Sequence, residues 1–275
     1  MTTLTTMTMT TTTMIKRTIL AVCLLTLATS TVAALSSAGA ASGVPLSKVL
    51  VTGAAGRTGQ LVFGALLRDA RFETKALVRS AASGKKLRKS FDPSVGLDQI
   101  VVCDVASMAG DDTPAKGLEG YQAMVICTSA VPALSKWSLF KAVLKVPVNV
   151  IRRKKAFDFR SLSFVWKKGQ YPEMVDYQGT IAQIELAKKV GMQHVVVVGS
   201  MGGTDPTNFL NTIGKKKDGT GNGDILLWKR KAERYLVESG LDYTIVSPTK
   251  PTNQTIFLEM ETRTLAHSPC LAHAR

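Results

Sequence analysis

A glycine-rich turn between an apolar run and a helix-like segment constrains the fold of this chain more than any other feature. The stretch from Lys48 to Val62 reads KVLVTGAAGRTGQLV. Three glycines, Gly53, Gly56 and Gly59, follow the apolar run and precede apolar residues at helical spacing. In dinucleotide-binding turns the first glycine permits a sharp bend, the second lets the backbone approach a pyrophosphate, and the third lets the helix pack on the strand. The G-x-x-G-x-x-G spacing between a strand and a helix therefore predicts a dinucleotide site, with a simple packing turn as the alternative.

Strand-like and helix-like segments alternate along the chain after this turn. The predicted strands are 48–52, 74–79, 99–104, 123–129, 194–200 and 242–247, and the predicted helices are 57–70, 174–191 and 228–240. Near-continuous Val and Ile runs indicate strands buried on both faces, as in a parallel sheet covered by helices. Right-handed crossovers then give a doubly wound, Rossmann-like α/β fold whose ligands bind at the carboxyl ends of the strands. We expect one NAD(P)-binding domain of this kind over residues 45–250.

The end of the second predicted strand bears on the choice of nucleotide. NAD-binding folds commonly place Asp or Glu there to hold the ribose hydroxyls, whereas this chain has Arg79, and Arg57 lies inside the glycine turn. Two guanidinium groups suit a 2′-phosphate, which they can hold by charge-assisted hydrogen bonds. The sequence therefore favours NADP over NAD, with a merely exposed strand end as the alternative for Arg79. Asp104, which closes the third strand, is placed either to touch the adenine or to cap a helix.

The basic excess of the chain does not by itself indicate a polyanion partner. The chain has 35 Lys and Arg against 20 Asp and Glu, a net charge of +15. The basic residues fall in short runs at 85–89, 152–155 and 215–217, without aromatic residues interleaved for base stacking. We interpret each run as a solvated loop surface, which leaves nucleic-acid binding as the weaker alternative.

The cysteines indicate a reducing compartment. Cys103 and Cys127 each end a strand-like run, and we expect two buried thiols outside any disulfide. The sequence contains no C-x-x-C pair and no Cys/His spacing typical of a metal site. We therefore expect no metal centre.

Residues 1–44 have the composition of a targeting presequence. A start rich in threonine and methionine leads into Lys16-Arg17 and an uncharged apolar run that ends in small residues. This pattern is typical of a cleavable signal peptide, and a single membrane anchor is the alternative. The following LSSAGAASG is hydroxylated and acid-free, so the segment resembles the two-part presequence of algae whose plastids are reached through the secretory route. We expect a plastid protein without a membrane span after cleavage, and the secretory pathway is the alternative.

Five segments of the chain carry a family resemblance: VLVTGAAGRTGQ, LVRS, TSAVP, GQYPEMVDYQGTIAQIELAKKVGMQHVVVVGSMGGT and ILLWKRKAERYLVESGLDYTIV. Over residues 46–247 the chain resembles the atypical short-chain dehydrogenase/reductases, in the plant and algal NAD(P)-binding group related to NmrA-like proteins. The resemblance implies that NADP lies across the strand ends and that Ser200 lies near the nicotinamide. The residues that it places against the nucleotide are Gly53, Gly56, Arg57, Thr58, Gly59, Arg79, Asp104, Thr128, Ser129 and Ala130.

The same resemblance leaves the catalytic machinery incomplete. Typical short-chain dehydrogenases use a Tyr-x-x-x-Lys pair, in which the tyrosine is the acid/base and the lysine lowers its pKa and holds the ribose. Lys229 occupies the lysine position, but the residue four before it is Ile225, which cannot transfer a proton. Lys229 and Ser200 are therefore the candidate catalytic residues, Lys229 also holding the cofactor, and Tyr171 and Tyr177 are weaker candidates for a displaced acid. Two hypotheses follow: an NADP-dependent oxidoreductase of unknown substrate, or a non-catalytic NADP(H)-sensing or assembly protein.

The end of the chain departs from the family pattern. After DYTIV the family continues with an Arg-Pro-Gly-like turn and a substrate-binding segment, whereas this chain has Ser247 and a different tail. We predict that residues 251–275 form a disordered, non-family tail and that the C-terminal substrate segment is truncated or replaced. An apolar sheet edge would then be exposed.

Overall fold

The chain folds around a seven-stranded sheet that is parallel except at one edge. A computed structural model describes residues 26, 28–40, 46–91, 95–108, 113–144, 164–200, 202–215, 218–248 and 258–263. The sheet contains β1 (Lys48–Thr52), β2 (Glu73–Val78), β3 (Ile100–Val102), β4 (Ala123–Ile126), β7 (His194–Val198), β8 (Asp242–Pro248) and β9 (Leu258–Arg263). Their order is β3-β2-β1-β4-β7-β8-β9, and only β9 runs antiparallel to its neighbour among these strands. Strands β5 (Ala133–Leu134) and β6 (Phe164–Val165) form a separate antiparallel pair.

Helices precede β1 and lie between most of the parallel strands. They are α1 (28–40), α2 (Arg57–Leu67), α3 (Ala81–Phe91), α4 (Lys136–Leu144), α5 (Gly179–Lys189) and α6 (Ile225–Glu238). A π-helical turn, Glu173–Gln178, leads directly into α5. Short 3₁₀ turns lie at Val105–Ser107, Thr113–Ala115 and Phe209–Thr212.

The sheet is covered on both faces, because alternate residues of its strands enter two different apolar clusters. Leu50 of β1 and Met124 of β4 pack in one cluster, which includes residues of α5 and α6. Val49, Val51 and Val125 pack in the other, which includes residues of α1 and α2. This alternation follows from the two-residue period of a strand, and it confirms the predicted doubly wound, Rossmann-like α/β fold.

The segment before residue 45 contributes to the domain, contrary to our expectation that it lies outside the fold. Residues 28–40 form α1, in which Leu35, Ala38 and Ala28 are buried against the apolar cluster of α2. Small side chains spaced three and four apart let a helix approach the sheet closely, and the same small residues gave the segment its leader-like composition. Removal of the segment as a presequence stays a prediction, and residues 1–25, 27 and 41–44 lie outside the described part.

The tail after residue 250 is also more ordered than predicted. Residues Leu258–Arg263 form β9, which pairs with β8 from Tyr243↔Arg263 to Pro248↔Leu258. The prediction of a disordered tail is therefore wrong for these residues, because the open edge of β8 offers backbone donors and acceptors that a further strand can satisfy. The other residues of 249–275 lie outside the described part.

The basic runs differ from the predicted loop surfaces. The run at 85–89 lies in α3, where Leu87 is fully buried and its lysine and arginine neighbours face solvent. Lys215 of the third run forms an ion pair with Asp224, with Nζ and Oδ1 2.7 Å apart. Residues 152–155 and 216–217 lie outside the described part. Among the helices that the structure describes, none is both long and apolar enough to cross a membrane.

Candidate functional site

The turn between β1 and α2 lies at the carboxyl ends of the strands, and its glycines expose backbone without side chains. Gly53 has φ +65°, and a Cβ atom there would lie 2.8 Å from the carbonyl oxygen of Cys127. A Cβ atom on Gly59 would lie 2.8 Å from the carbonyl carbon of Gly53 and 2.9 Å from Cα of Ala54. Both positions therefore require glycine, the first for its conformation and both for space. The amide of Gly56 donates to the carbonyl oxygen of Gly53 at 2.8 Å and closes the turn.

A cleft of about 220 Å³ opens above this turn, at the ends of β1, β2, β3 and β4. Gly53 and Gly56 line it from the turn, Arg79 from the end of β2 and Asp104 from the end of β3. Thr128, Ser129, Cys127, Cys103, Ser83 and Gln170 complete its polar lining. The glycines leave the backbone of the turn uncovered by side chains, next to the N–H groups at the start of α2. This arrangement fits the phosphates of a dinucleotide.

Three polar side chains from distant parts of the chain meet at one wall of the cleft. Nη1 of Arg79 donates to Oε1 of Gln170 at 2.6 Å, and Nε2 of Gln170 donates to Oδ2 of Asp104 at 3.4 Å. Oδ1 of Asp104 accepts from the amide of Ala106 at 3.1 Å, so Asp104 caps the 3₁₀ turn that follows β3. The structure thus links Arg79 and Asp104 through Gln170, which the sequence did not indicate.

Other predicted residues of the turn have different positions. Arg57 is exposed at the first position of α2, and neither Arg57 nor Thr58 is among the residues that line the cleft. Gly59 is buried below the turn and serves the packing of α2 on the sheet. Of the two predicted guanidinium groups, Arg79 therefore lines the cleft, whereas Arg57 lies outside its lining.

The segment after β4 is held by a side chain of the π-helical turn and by one of the helix that follows it. Oδ2 of Asp176 accepts from the amide of Ala130 at 3.1 Å, and Nε2 of Gln183 donates to Oγ1 of Thr128 at 3.1 Å. Asp176 and Gln183 are both buried. The amide of Ala130 is thus used within the protein, and the 128–130 segment is fixed in place beside the cleft.

Lys229 lies next to this segment. Its Nζ is 2.8 Å from Oδ1 of Asp176, and its side chain is 14% exposed against 0% for Asp176. Oδ1 accepts no hydrogen bond among the described residues, so its contact with Lys229 is an ion pair at close range. A small cavity joins Lys229 and Asp176 to Thr128, Thr180, Gly199 and Glu233. Because Thr128 lines both this cavity and the cleft, Lys229 adjoins the cleft at the ends of β4 and β7.

The remaining catalytic candidates are less well placed. Ser200 follows Gly199 beyond β7 and is half-buried, but it lines neither the cleft nor the small cavity. Ile225 is the first residue of α6, one helical turn before Lys229, and packs in the apolar core. Tyr177 packs against Trp228, with ring centroids 5.5 Å apart, and Tyr171 packs against the apolar core. Lys229 therefore lines the small cavity next to the cleft, whereas neither candidate tyrosine lines the cleft or that cavity.

Cys127 does not have the properties of a reactive thiol. Burial raises its pKa to about 12, although the nearby charge of Lys229 acts in the opposite direction. The thiol is therefore protonated at neutral pH. Cys103 and Cys127 are half-buried rather than buried as predicted, and neither is in a disulfide among the described residues.

Asp176, Gln183 and Gln170 belong to the site but were not predicted from the sequence. Asp176 shares a helical face with Thr180, Gln183 and Ala187, at the spacing of a buried stripe. A carboxylate on an otherwise buried stripe indicates an internal cationic partner, because an unpaired buried charge is costly. That signal was present in the sequence, whereas nothing local to Gln170 indicates its contact with Arg79.

Residues 53–265 match the NAD(P)H-binding protein family. The chain is 42% identical over 204 residues to sanguinarine reductase of Eschscholzia californica, a match that covers 72% of this chain and 67% of the relative. It is 39% identical over 211 residues to an uncharacterized chloroplastic protein of Arabidopsis thaliana, covering 75% of this chain and 54% of that protein. A second uncharacterized chloroplastic protein of Arabidopsis thaliana is 30% identical over 218 residues, covering 76% of this chain and 61% of that protein.

Proposed function

The chain belongs to the NAD(P)H-binding family, and on that premise we propose that it is an NADP(H)-dependent oxidoreductase acting on a small organic substrate. The observation that carries the proposal is the cleft above the glycine turn, where the residue that follows β2 is Arg79 instead of a carboxylate. A guanidinium at this position suits a 2′-phosphate and would be poorly matched to ribose hydroxyls.

The cofactor would be held by residues that follow three strands, β1, β2 and β3. Gly53 and Gly56 leave the backbone bare for the pyrophosphate, Arg79 would take the 2′-phosphate, and Asp104 would contact the adenine. When bound, NADPH supplies a hydride to an electron-poor carbon.

The protein's own contribution at the other end of the site is a fixed positive charge. Lys229 would hydrogen-bond an oxygen of the ribose or of the substrate, and the hydroxyl of Ser200 would hold a carbonyl oxygen. Ile225 has no transferable proton, so proton delivery would not follow the Tyr-x-x-x-Lys arrangement. The similarity to a protein named sanguinarine reductase supports a reductase, and the choice of substrate is open.

A plastid location belongs to the same proposal. Two of the relatives are chloroplastic by name, and the first 44 residues have the composition of a presequence. Import of the full chain into isolated plastids, followed by the size of the protected product, tests this part.

The nucleotide proposal is tested by titrating NADPH and NADH into the wild type, Arg79→Ala and Arg57→Ala. We expect the wild type to prefer NADPH, and Arg79→Ala to weaken NADPH binding by about tenfold or more while leaving NADH binding nearly unchanged. Arg57→Ala is the matched control, because the same charge is removed outside the cleft lining. Equal losses in both variants would contradict the assignment of Arg79.

The enzyme proposal is tested by following NADPH oxidation with a panel of carbonyl and iminium compounds. Turnover of at least one compound supports a reductase. Tight nucleotide binding with no turnover across the panel would favour the non-catalytic NADP(H)-sensing hypothesis. Absence of nucleotide binding would contradict both.

A further inference from the structure

Asp176 makes two contacts that link Lys229 to the segment after β4. One carboxylate oxygen pairs with Nζ of Lys229 at 2.8 Å, and the other accepts from the amide of Ala130 at 3.1 Å. The Asp176 side chain is fully buried. A single carboxylate therefore fixes the position of a cation on α6 and the position of the backbone at residue 130.

A purely structural role does not explain this pair well. Burying two charges has a large cost in desolvation, and a well-packed apolar pair of similar size is often at least as stable. The apolar residues Ile126, Val197 and Ala232 line part of the same small cavity, so apolar side chains could pack there. The pair lines a cavity that shares Thr128 with the cleft, so its charge is near the place where a ligand would bind.

The charged and titratable groups around Lys229 come from three directions. Asp176 faces it from the π-helical turn, and Cys127, at the end of β4, is close enough to feel its charge. Glu233, one turn further along α6, lines the same cavity but is paired with Arg230 at 3.0 Å. Asp176 is thus the carboxylate in contact with Lys229 among the described residues.

We propose that Asp176 is a positioning residue, which keeps Lys229 cationic and fixed at the ends of β4 and β7 to bind an electron-rich oxygen of the ligand. This inference rests on the proposed function, because it assigns the ligand to the cleft described above. An ammonium group has three N–H donors, and the pair with Asp176 occupies at most one of them. The others are available to a hydroxyl or to a carbonyl oxygen that gains negative charge.

The decisive variant is Asp176→Asn, because the amide oxygen can still accept from Ala130 while the negative charge is lost. Without a counter-charge, burial favours the neutral amine of Lys229. The matched control is Asp224→Asn, which removes the carboxylate of the Lys215 pair, where the two side chains are 28% and 29% exposed. Asn also tolerates the left-handed conformation of Asp224.

The direct measurement is the rate at which each lysine reacts with an amine-specific anhydride, resolved by peptide mass spectrometry. The rate at neutral pH divided by the rate at strongly alkaline pH reports the fraction of the lysine that is unprotonated at neutral pH. The alkaline rate corrects for differences in the accessibility of the amine. We expect this ratio for Lys229 to rise at least tenfold in Asp176→Asn, and the ratio for Lys215 to change less than threefold in Asp224→Asn. An unchanged ratio for Lys229 in a folded Asp176→Asn protein would overturn the proposal.

A second variant covers the case in which Asp176→Asn does not fold. The double variant Asp176→Asn with Lys229→Met removes both charges, so it leaves no uncompensated ion in the interior. We expect it to fold and to lose at least 100-fold in turnover, whereas wild-type turnover in this variant would overturn the proposal.

Failure of the proposed function has a different signature. A wild type that neither binds NADPH nor turns over any compound would contradict the oxidoreductase. The labelling ratios would still show whether Asp176 controls the charge of Lys229, because they need no cofactor.

Discussion

The glycines after β1 are important because they have no Cβ atom. Gly53 and Gly59 leave room for the carbonyl of Cys127 and for the turn itself, so the strand, the turn and α2 approach more closely than side chains would allow. Gly191, after α5, has a similar left-handed conformation with φ +74°, but a Cβ atom there would meet nothing within 4 Å. A comparison of the two positions therefore distinguishes the free-energy cost of a left-handed backbone from the cost of a steric clash with the Cβ atom.

We expect Gly53→Ala to destabilise the fold much more than Gly191→Ala. Both variants carry the backbone strain of a left-handed alanine, about 1 kcal/mol. Gly53→Ala adds a Cβ atom 2.8 Å from the Cys127 oxygen, so a total loss above about 2 kcal/mol and a loss of NADPH binding are expected. Urea unfolding and nucleotide titration of both variants measure these effects, and equal destabilisation would show that the contact with Cys127 is unimportant.

At the scale of elements, the sequence predicted the six parallel strands of the sheet but not β9, the antiparallel strand at one edge. The Val and Ile runs of β1, β4 and β7 identify these strands because burial on both faces demands continuous apolar sequence. β9 has the sequence LEMETR, and its Glu261 and Arg263 face solvent, so no apolar run marks it. Its position depends on the backbone of β8, which is information from another part of the chain.

One helix differs from its prediction at its start. The segment 174–191 was predicted as one helix, but its first residues belong to the π-helical turn Glu173–Gln178, in which the amide of Gly179 donates to the carbonyl of Met174. Such turns often lie at functional sites, and this one contains Asp176. Periodicity cannot distinguish a π turn from an α turn over six residues, so the exact direction of Asp176 was not predictable.

We expect β9 to protect the sheet edge. A chain that ends at residue 257 lacks β9 and leaves the β8 edge unpaired, whereas a chain that ends at residue 263 keeps it. The shorter chain should therefore aggregate at lower temperature and lose several kcal/mol of stability, about one for each lost backbone hydrogen bond at most. Light scattering during heating compares the two chains, and indistinguishable onset temperatures would contradict a protective role.

At the scale of the whole molecule, the candidate site lies at the carboxyl ends of the strands, whereas a buried histidine lies at their amino ends. The cleft lies at the carboxyl ends of the strands, while His194 begins β7 and accepts or donates a hydrogen bond with Thr244 at 3.0 Å. The position of His194 at the start of a strand, rather than at its end, already indicates a place outside the site. Burial lowers its pKa to about 4, although the charge of Asp242 acts in the opposite direction.

This histidine makes the stability of the molecule depend on pH. Its pKa is about 4 in the folded protein and 6.5 in the unfolded chain, so between these values the unfolded chain binds the additional proton. The contribution of His194 is complete above pH 6.5 and is lost as the pH falls towards 4, on the order of 2 kcal/mol between neutral pH and pH 5.

The measurement is the free energy of unfolding in urea at neutral pH and at pH 5, for the wild type and His194→Gln. We expect the difference between the two pH values to shrink in the variant by on the order of 2 kcal/mol, whatever its absolute stability. A difference as large as that of the wild type would assign the acid sensitivity to carboxylates instead.

The antiparallel pairing of β9 with β8 also sets an order of events during synthesis. β8 precedes β9 in the chain, so the outer edge of β8 stays unpaired until residues 258–263 have also left the ribosome. An unpaired strand edge can pair with another chain. The interval between the emergence of β8 and the emergence of β9 is therefore the one in which a chaperone would be most useful.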